Sequence, residues 1–250
     1  GERGLKGEEY MDYPKMILFD YGQTLIEEQK FNRLEGLNVL LGKATKNPNN
    51  ISAEEVFDFY TELNVEIGRE GDGKKFFNSI EVHNYCFQNY LYDYFGIEFN
   101  LTQNEMDRIF WDASAPGKPV ENIELLLNFL HEKGIRTGVI SNLSYSGETL
   151  KNRINTLLPN NHFEFIIASS EYMFKKPHKR IFELALRKAN LGSKDVWFCG
   201  DNVIADVEGA SLSGIKPIWF KGALREEKYT PMVDYIEINN WIELKKLLEE

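Results

Sequence analysis

Two kinds of apolar pattern divide this chain. Short continuous runs ending in a polar turn recur at Met16-Ile17-Leu18-Phe19 before Asp20, Thr137-Gly138-Val139-Ile140 before Ser141-Asn142, Phe165 to Ala168, Val196-Trp197-Phe198-Cys199 before Gly200-Asp201, and Ile215 to Phe220. Runs of this length and composition predict strands buried on both faces. Tyr235 to Ile238 predicts a further edge strand. Between the runs, Val120, Ile123, Leu126, Leu127 and Leu130 recur at helical spacing until Gly134, and similar patterns cover Leu150 to Leu158, Ile181 to Ala189 and the segment from Trp241. Strands alternating with helices imply right-handed crossovers and a parallel sheet covered on both sides, a Rossmann-like α/β core.

From Glu35 to about Ala113 the pattern is helical instead. Ser52-Ala53-Glu54-Glu55 reads as a capping box, followed by Val56, Phe59, Tyr60, Leu63 and Ile67 on one helical face. A second helix is predicted from Phe76 to Tyr94, and a third from Thr102, where Glu105 completes another capping box and Met106, Ile109 and Phe110 share a face. Gly71-Asp72-Gly73 and Gly96 punctuate these segments. The chain therefore divides into a Rossmann-like core, 14–26 with 116–250, and an inserted all-helical cap, 27–115.

Composition narrows the function classes. With 250 residues, 42% hydrophobic and 13% aromatic, the chain can bury a substantial core. A net charge of -10 argues against a general nucleic-acid or acidic-membrane binder, since both attract basic surfaces. An anionic ligand then needs a local positive centre. Cys86 and Cys199 read as reduced core residues rather than a disulfide. No apolar stretch approaches the roughly 20 residues that span a bilayer, and Gly1 to Tyr13 lacks the apolar centre of a secretion signal, so a cytoplasmic enzyme is expected.

Ligands of open α/β sheets bind beyond the carboxyl ends of the strands. Asp20 and Asp201 both stand there, so carboxylates from the two ends of the chain can meet around a metal. Four segments in order, Asp20 to Thr24, Ser141 at a strand end, Lys176-Pro177 ahead of a helix, and Gly200-Asp201 with Asp206, resemble the motifs of the haloacid dehalogenase superfamily, mostly phosphatases. The resemblance runs from Met16 to about Phe220. It implies that Asp20 attacks phosphorus to form an aspartyl phosphate. It also implies Mg²⁺ held by Asp20, the carbonyl of Gly22 and Asp201, with Asp206 and Thr24 in support. Ser141, Lys176 and the N–H group of Asn142 would hold the phosphoryl oxygens. The substrate would be a small phosphorylated metabolite.

One position departs from the pattern. In the family's phosphatases the residue two after the nucleophile is usually an aspartate that protonates the leaving oxygen and then activates water; here it is Gly22. Such acid-base help is worth about 10² to 10⁴ in rate. Tyr21, Glu27, Glu28 or a residue of the insertion are the candidates to supply it. The departure keeps other readings in view. One is a binding or regulatory protein that has lost turnover. Another is a 2-haloacid dehalogenase, whose halide leaves unprotonated but whose branch lacks the metal-binding Gly-Asp kept here as Gly200-Asp201. A phosphonate hydrolase would need an inserted lysine, for which Lys74 and Lys75 are the nominal candidates. Where the family often has Asp after Lys-Pro, this chain has His178, read as a helix-start residue. His83, His131 and His162 lack ligand-like spacing. The aromatic group from Tyr85 to Phe95 reads as helix packing.

Overall fold

The computed structural model describes residues 13–70, 80–223 and 229–250. The short apolar runs become β1 (Met16–Phe19), β6 (Arg136–Ser141), β7 (Phe163–Ala168), β8 (Val196–Gly200), β9 (Lys216–Phe220) and β10 (Ile236–Ile238). They form one parallel sheet in the order β10-β9-β8-β1-β6-β7. Side chains alternate across β1, and the two faces feed different apolar clusters. Ile17 and Phe19 join the cluster that contains Trp241 and Ile123, while Met16 and Leu18 join the one that contains Ile181 and Phe182. On the first face lie α5 (Ile123–Glu132) and α9 (Trp241–Glu249), whose Trp241 ring meets Phe19 at 5.6 Å and stacks on Phe220 at 4.2 Å. On the other lies α7 (Lys179–Ala189), with Phe182 against Phe198 at 5.4 Å.

Chain order reverses between β1 and β8, which makes their carboxyl ends the switch point where such sheets take ligands. Register sharpens this. Phe19 pairs with both Val139 and Cys199, so Asp20 leaves the sheet level with Ile140 and Gly200.

The insertion hangs from an antiparallel ribbon in which β2 (Ile26–Glu28) pairs with β5 (Gly117–Pro119). Just beyond it, the Gln29 N–H donates to the Pro116 carbonyl at 3.0 Å, so the chain enters and leaves the insertion at one place. Within it are α1 (Arg33–Leu41), α2 (Ala53–Glu66), α3 (Asn84–Phe95) and α4 (Gln103–Ser114). Both predicted capping boxes are formed, Ser52 with Glu55 and Thr102 with Glu105. The helical insertion also carries a ribbon of β3 (Ala44–Lys46) with β4 (Glu98–Phe99), which the apolar pattern does not announce. Its apolar residues continue the cluster on the Phe19 face, so insertion and sheet share one core.

The helix predicted from Phe76 begins only at Asn84. The preceding stretch is extended: Ile80 bridges Phe174, and the Glu81 N–H donates to the Met173 carbonyl at 2.7 Å. His83 then starts α3 by accepting from the Tyr85 N–H at 2.9 Å. Residues 76–79, with Lys74 and Lys75, lie outside the described residues. Among the described residues no helix is long and apolar enough to cross a membrane.

Candidate active site

The turn after β1 is tight. Tyr21's carbonyl accepts from the Leu25 and Ile26 N–H groups at 3.0 and 3.2 Å, and Gln23 adopts a left-handed φ of 56°. That turn aims Asp20 back over the sheet end. After β8 the Asn202 side chain caps the Ala205 N–H at 2.8 Å, while the Asn202 N–H donates to Asp206 Oδ2 at 3.0 Å. The pair fixes a wide turn of π geometry, Val203–Glu208, that continues into α8 (Gly209–Leu212) and turns Asp206 inward. Only glycine fits at 200, because a Cβ there would collide with the Asp206 carboxyl group. Trp219 Nε1 donates to the Asp201 carbonyl at 3.0 Å and steadies the other end of the turn.

Asp20, Asp201 and Asp206 each bring one carboxylate oxygen within 4.8 Å of the others. Lys176, 2% exposed, enters from the loop between β7 and α7, its Nζ 2.9 Å from Asp20 Oδ1 and 2.6 Å from Asp206 Oδ1. Residues 156 and 30 positions apart from it thus share one ammonium. Burial by itself would lower the Lys176 pKa, but the two carboxylates outweigh it and hold the group charged. The carboxylates are more crowded than one lysine can neutralise. Burial, then the charges of Asp20 and Asp206, push Asp201 up to about 9. Burial and Asp20 push Asp206 up to about 6, against the opposing pull of Lys176.

This donor set fits a hard divalent cation. It is all oxygen, with no His or Cys among the three, and its excess negative charge is what a dication would relieve. The remaining sequence candidates stand around it. Ser141 is buried at the end of β6 and lines the same cavity as the carboxylates. Asn142 also lines it, but its side chain does other work: Nδ2 donates to the Lys176 carbonyl and Oδ1 accepts the Lys176 N–H, both at 2.8 Å. It clamps the loop that carries the lysine. Thr24 is fully buried, and its hydroxyl has no protein partner among the described residues. His178 caps α7 by accepting from the Arg180 N–H at 3.2 Å.

The cavity, about 410 Å³, lies between these strand ends and the insertion, which contributes Phe31, Arg33, Tyr60, Asn64, Arg69 and Trp111. Asn64 is 2% exposed with its Oδ1 unpartnered among the described residues, a polar atom held ready in the wall. None of the Tyr85 to Phe95 aromatics lines the cavity; Phe59, Tyr94 and Phe95 pack against one another on the helices instead. Sequence reasoning did not find a network beside the nucleophile. Arg153 of α6 (Gly147–Leu157) donates from Nε to the Tyr21 hydroxyl at 2.8 Å and from Nη2 to Glu28 Oε2 at 2.9 Å, and Trp111 Nε1 donates to the same oxygen at 2.8 Å. Its only sequence signal is a lone arginine in an otherwise amphipathic helix.

Comparison with known proteins bears on the family and the fold. A family model described as "Haloacid dehalogenase-like hydrolase" matches residues 75–220. A glyceraldehyde 3-phosphate phosphatase of Pyrococcus abyssi is 29% identical over 214 residues, covering 83% of this chain and 81% of that protein. Among solved structures, a phosphatase from Thermococcus onnurineus superposes with a TM-score of 0.61 at 20% identity, over 93% of this chain and 97% of the other. A 2-haloacid dehalogenase from Pseudomonas syringae gives 0.62 at 17% identity, over 94% and 98%. At these identities the two structures establish likeness of fold.

Proposed function

The chain belongs to the haloacid dehalogenase-like hydrolase family, and from that premise we propose that it is a magnesium-dependent phosphatase that cleaves a small phosphorylated metabolite through an aspartyl phosphate on Asp20. One observation carries the reading: Asp20, Asp201 and Asp206 converge within 4.8 Å beside the buried Lys176 ammonium. Two of them come from strands adjacent at the switch point.

Mg²⁺ would be held by Asp20, the Gly22 carbonyl and Asp201, and when bound it offsets the negative charge that opposes attack of a carboxylate on a phosphate. Asp20 supplies the nucleophilic oxygen, breaking the ester bond and taking the phosphoryl group. Lys176 and the N–H of Asn142 hold phosphoryl oxygens, with Ser141 donating its hydroxyl. Asp206 keeps Lys176 in place. The inserted helices form the cap that walls the leaving group from water, and the cavity size suits a small metabolite.

The fold is shared with a 2-haloacid dehalogenase, but Asp201 within the carboxylate cluster gives this chain a charge that halide displacement does not require. Chloride release from 2-chloropropionate in the presence of EDTA would reverse the assignment.

The test is phosphate release from a panel of phosphate esters with Mg²⁺ or with EDTA, headed by triose phosphates because of the Pyrococcus abyssi relative. Release is expected only with the metal. Asp20→Asn is expected to lower kcat by a factor on the order of 10⁴ or more. Full turnover by that variant, or no release from any ester by the wild type, would refute the reading.

A further inference from the structure

Opposite the carboxylates, the cavity has a second polar wall, built by the end of α2. Asn64 falls on the helical stripe of Val56, Tyr60 and Leu63, a place suited to an apolar side chain, and it is 2% exposed. Its side-chain amide finds no hydrogen-bond partner among the described residues. Gly68 then takes a left-handed φ of 74° and turns the chain back, so that the Arg69 and Glu70 N–H groups both donate to the Asn64 carbonyl, at 2.8 and 3.3 Å. The backbone thereby brings Asn64 and Arg69 together, and both line the cavity that contains Asp20.

The Arg69 guanidinium is fixed but not neutralised. Its Nη2 donates to the Val82 carbonyl at 2.6 Å and it lies over the Phe87 ring at 5.0 Å, while its Nε has no partner among the described residues. Arg33, the other arginine of this wall, is matched by Glu70 at 2.7 Å. No described carboxylate forms such a pair with Arg69. Glu81 feels its charge from farther off, but Glu81 is also drawn to Lys175 and accepts from Ser169 Oγ at 3.4 Å.

Buried polar groups left unpaired cost stability unless something that enters the cavity pairs them. A guanidinium beside an amide matches the planar oxygens of a carboxylate. A second phosphate group would bring more charge than one guanidinium balances in a wall that already holds Glu70. We propose that Asn64 and Arg69 form a carboxylate subsite, so that the preferred substrate is the phosphate ester of a small hydroxy acid, its phosphoryl group at Asp20 and its carboxylate at the end of α2. The proposal rests on the phosphatase reading and names a substrate class for it. Both residues act on specificity and take no part in the bond that breaks.

The test measures kcat and KM with Mg²⁺ for 3-phosphoglycerate and glycerol 3-phosphate, which differ only in whether the far carbon is a carboxylate or an alcohol. A second pair, 2-phosphoglycolate and 2-hydroxyethyl phosphate, brings that carbon closer to the phosphate. In at least one pair the wild type should favour the acid in kcat/KM by about 10-fold or more. Arg69→Gln should lower kcat/KM for that acid by a factor on the order of 10², mainly through KM, and leave the paired alcohol within about threefold. Asn64→Leu removes an unpaired buried amide at similar volume, so its urea midpoint should match or exceed that of wild type while its preference for the acid falls. An asparagine with a purely structural role would not give that combination.

Alcohols turned over as well as acids in both pairs, or a folded Arg69→Gln or Asn64→Leu enzyme that keeps the wild-type preference, would overturn the proposal. These outcomes require an active wild type, whereas failure of the phosphatase reading shows as no phosphate release from any ester.

Discussion

Asp201 stands in a cluster of three carboxylates that one lysine ammonium does not neutralise. Its carboxyl pKa is raised by burial and by Asp20 and Asp206, above the ordinary value of an unfolded chain. The folded protein therefore holds protons that the unfolded chain releases. Metal-free stability should fall as pH rises from about 4 toward 9 and level off beyond. Urea unfolding in EDTA at several pH values measures this. Asp201→Asn removes one of the competing charges, so it should flatten that slope and raise metal-free stability at pH 8 by roughly 1 to 3 kcal/mol. Mg²⁺ at about a hundredfold excess over its Kd should stabilise wild type by about 2.7 kcal/mol and the variant much less. A variant no more stable than wild type in EDTA would show that the three carboxylates do not repel one another.

The residues of this site were legible to unequal degrees. Asp20, Ser141 and Asp201 could be placed because each stands just past a short apolar run, and strand ends in a parallel sheet have little freedom in where they point. Lys176 could be placed only through the resemblance carried by its Lys-Pro pair ahead of a helix. The fastening of Glu28 was not legible, since its partners Trp111 and Arg153 lie 83 and 125 positions away and belong to helices whose facing cannot be read from spacing alone. Asn142 illustrates the same limit. A backbone role could be anticipated from its position, whereas the two-way bond to Lys176 depends on a loop 34 positions on.

Among the elements, helices with caps were easiest to delimit, as Ser52 and Thr102 mark the starts of α2 and α4. α1 went unassigned as a separate helix because its stripe is weak and holds Gly36. That glycine has a packing reason: a Cβ there would collide with Ser114 Oγ and come within 2.8 Å of the Phe110 ring on α4. Gly36→Ala sets two effects against each other. Higher helix propensity gains about 1 kcal/mol, while forcing a methyl into a filled contact costs about 1 to 3 kcal/mol or more where backbone must move. With a neighbouring atom already closer than any contact permits, the cost should win. The expected result is a lowered urea midpoint, and an unchanged or raised midpoint would mean that α1 slides freely along α4.

For the whole molecule, the division into sheet and insertion could be drawn from where the strand pattern stops and resumes. The shared core could not, because apolar residues on the insertion's helices look alike whether they pack among themselves or onto Tyr21 and Leu25. That continuity means a bare sheet would expose a wide apolar surface. The doorway formed by β2 and β5, closed by the bond from Gln29 to Pro116, has a practical meaning. Chain ends that meet at one bond can be cut and rejoined there without rerouting a single strand of the sheet, so the helices between them can be exchanged as a unit where the donor's apolar face matches Tyr21 and Leu25. A version carrying a relative's helices, joined at these two residues, should keep Mg²⁺-dependent stabilisation while its preference among phosphate esters shifts by about 10-fold or more toward the donor's. Steady-state kinetics on the ester panel reads that transfer. If the recipient's preference stayed behind with the sheet, ester choice would have to be written in the strand ends themselves.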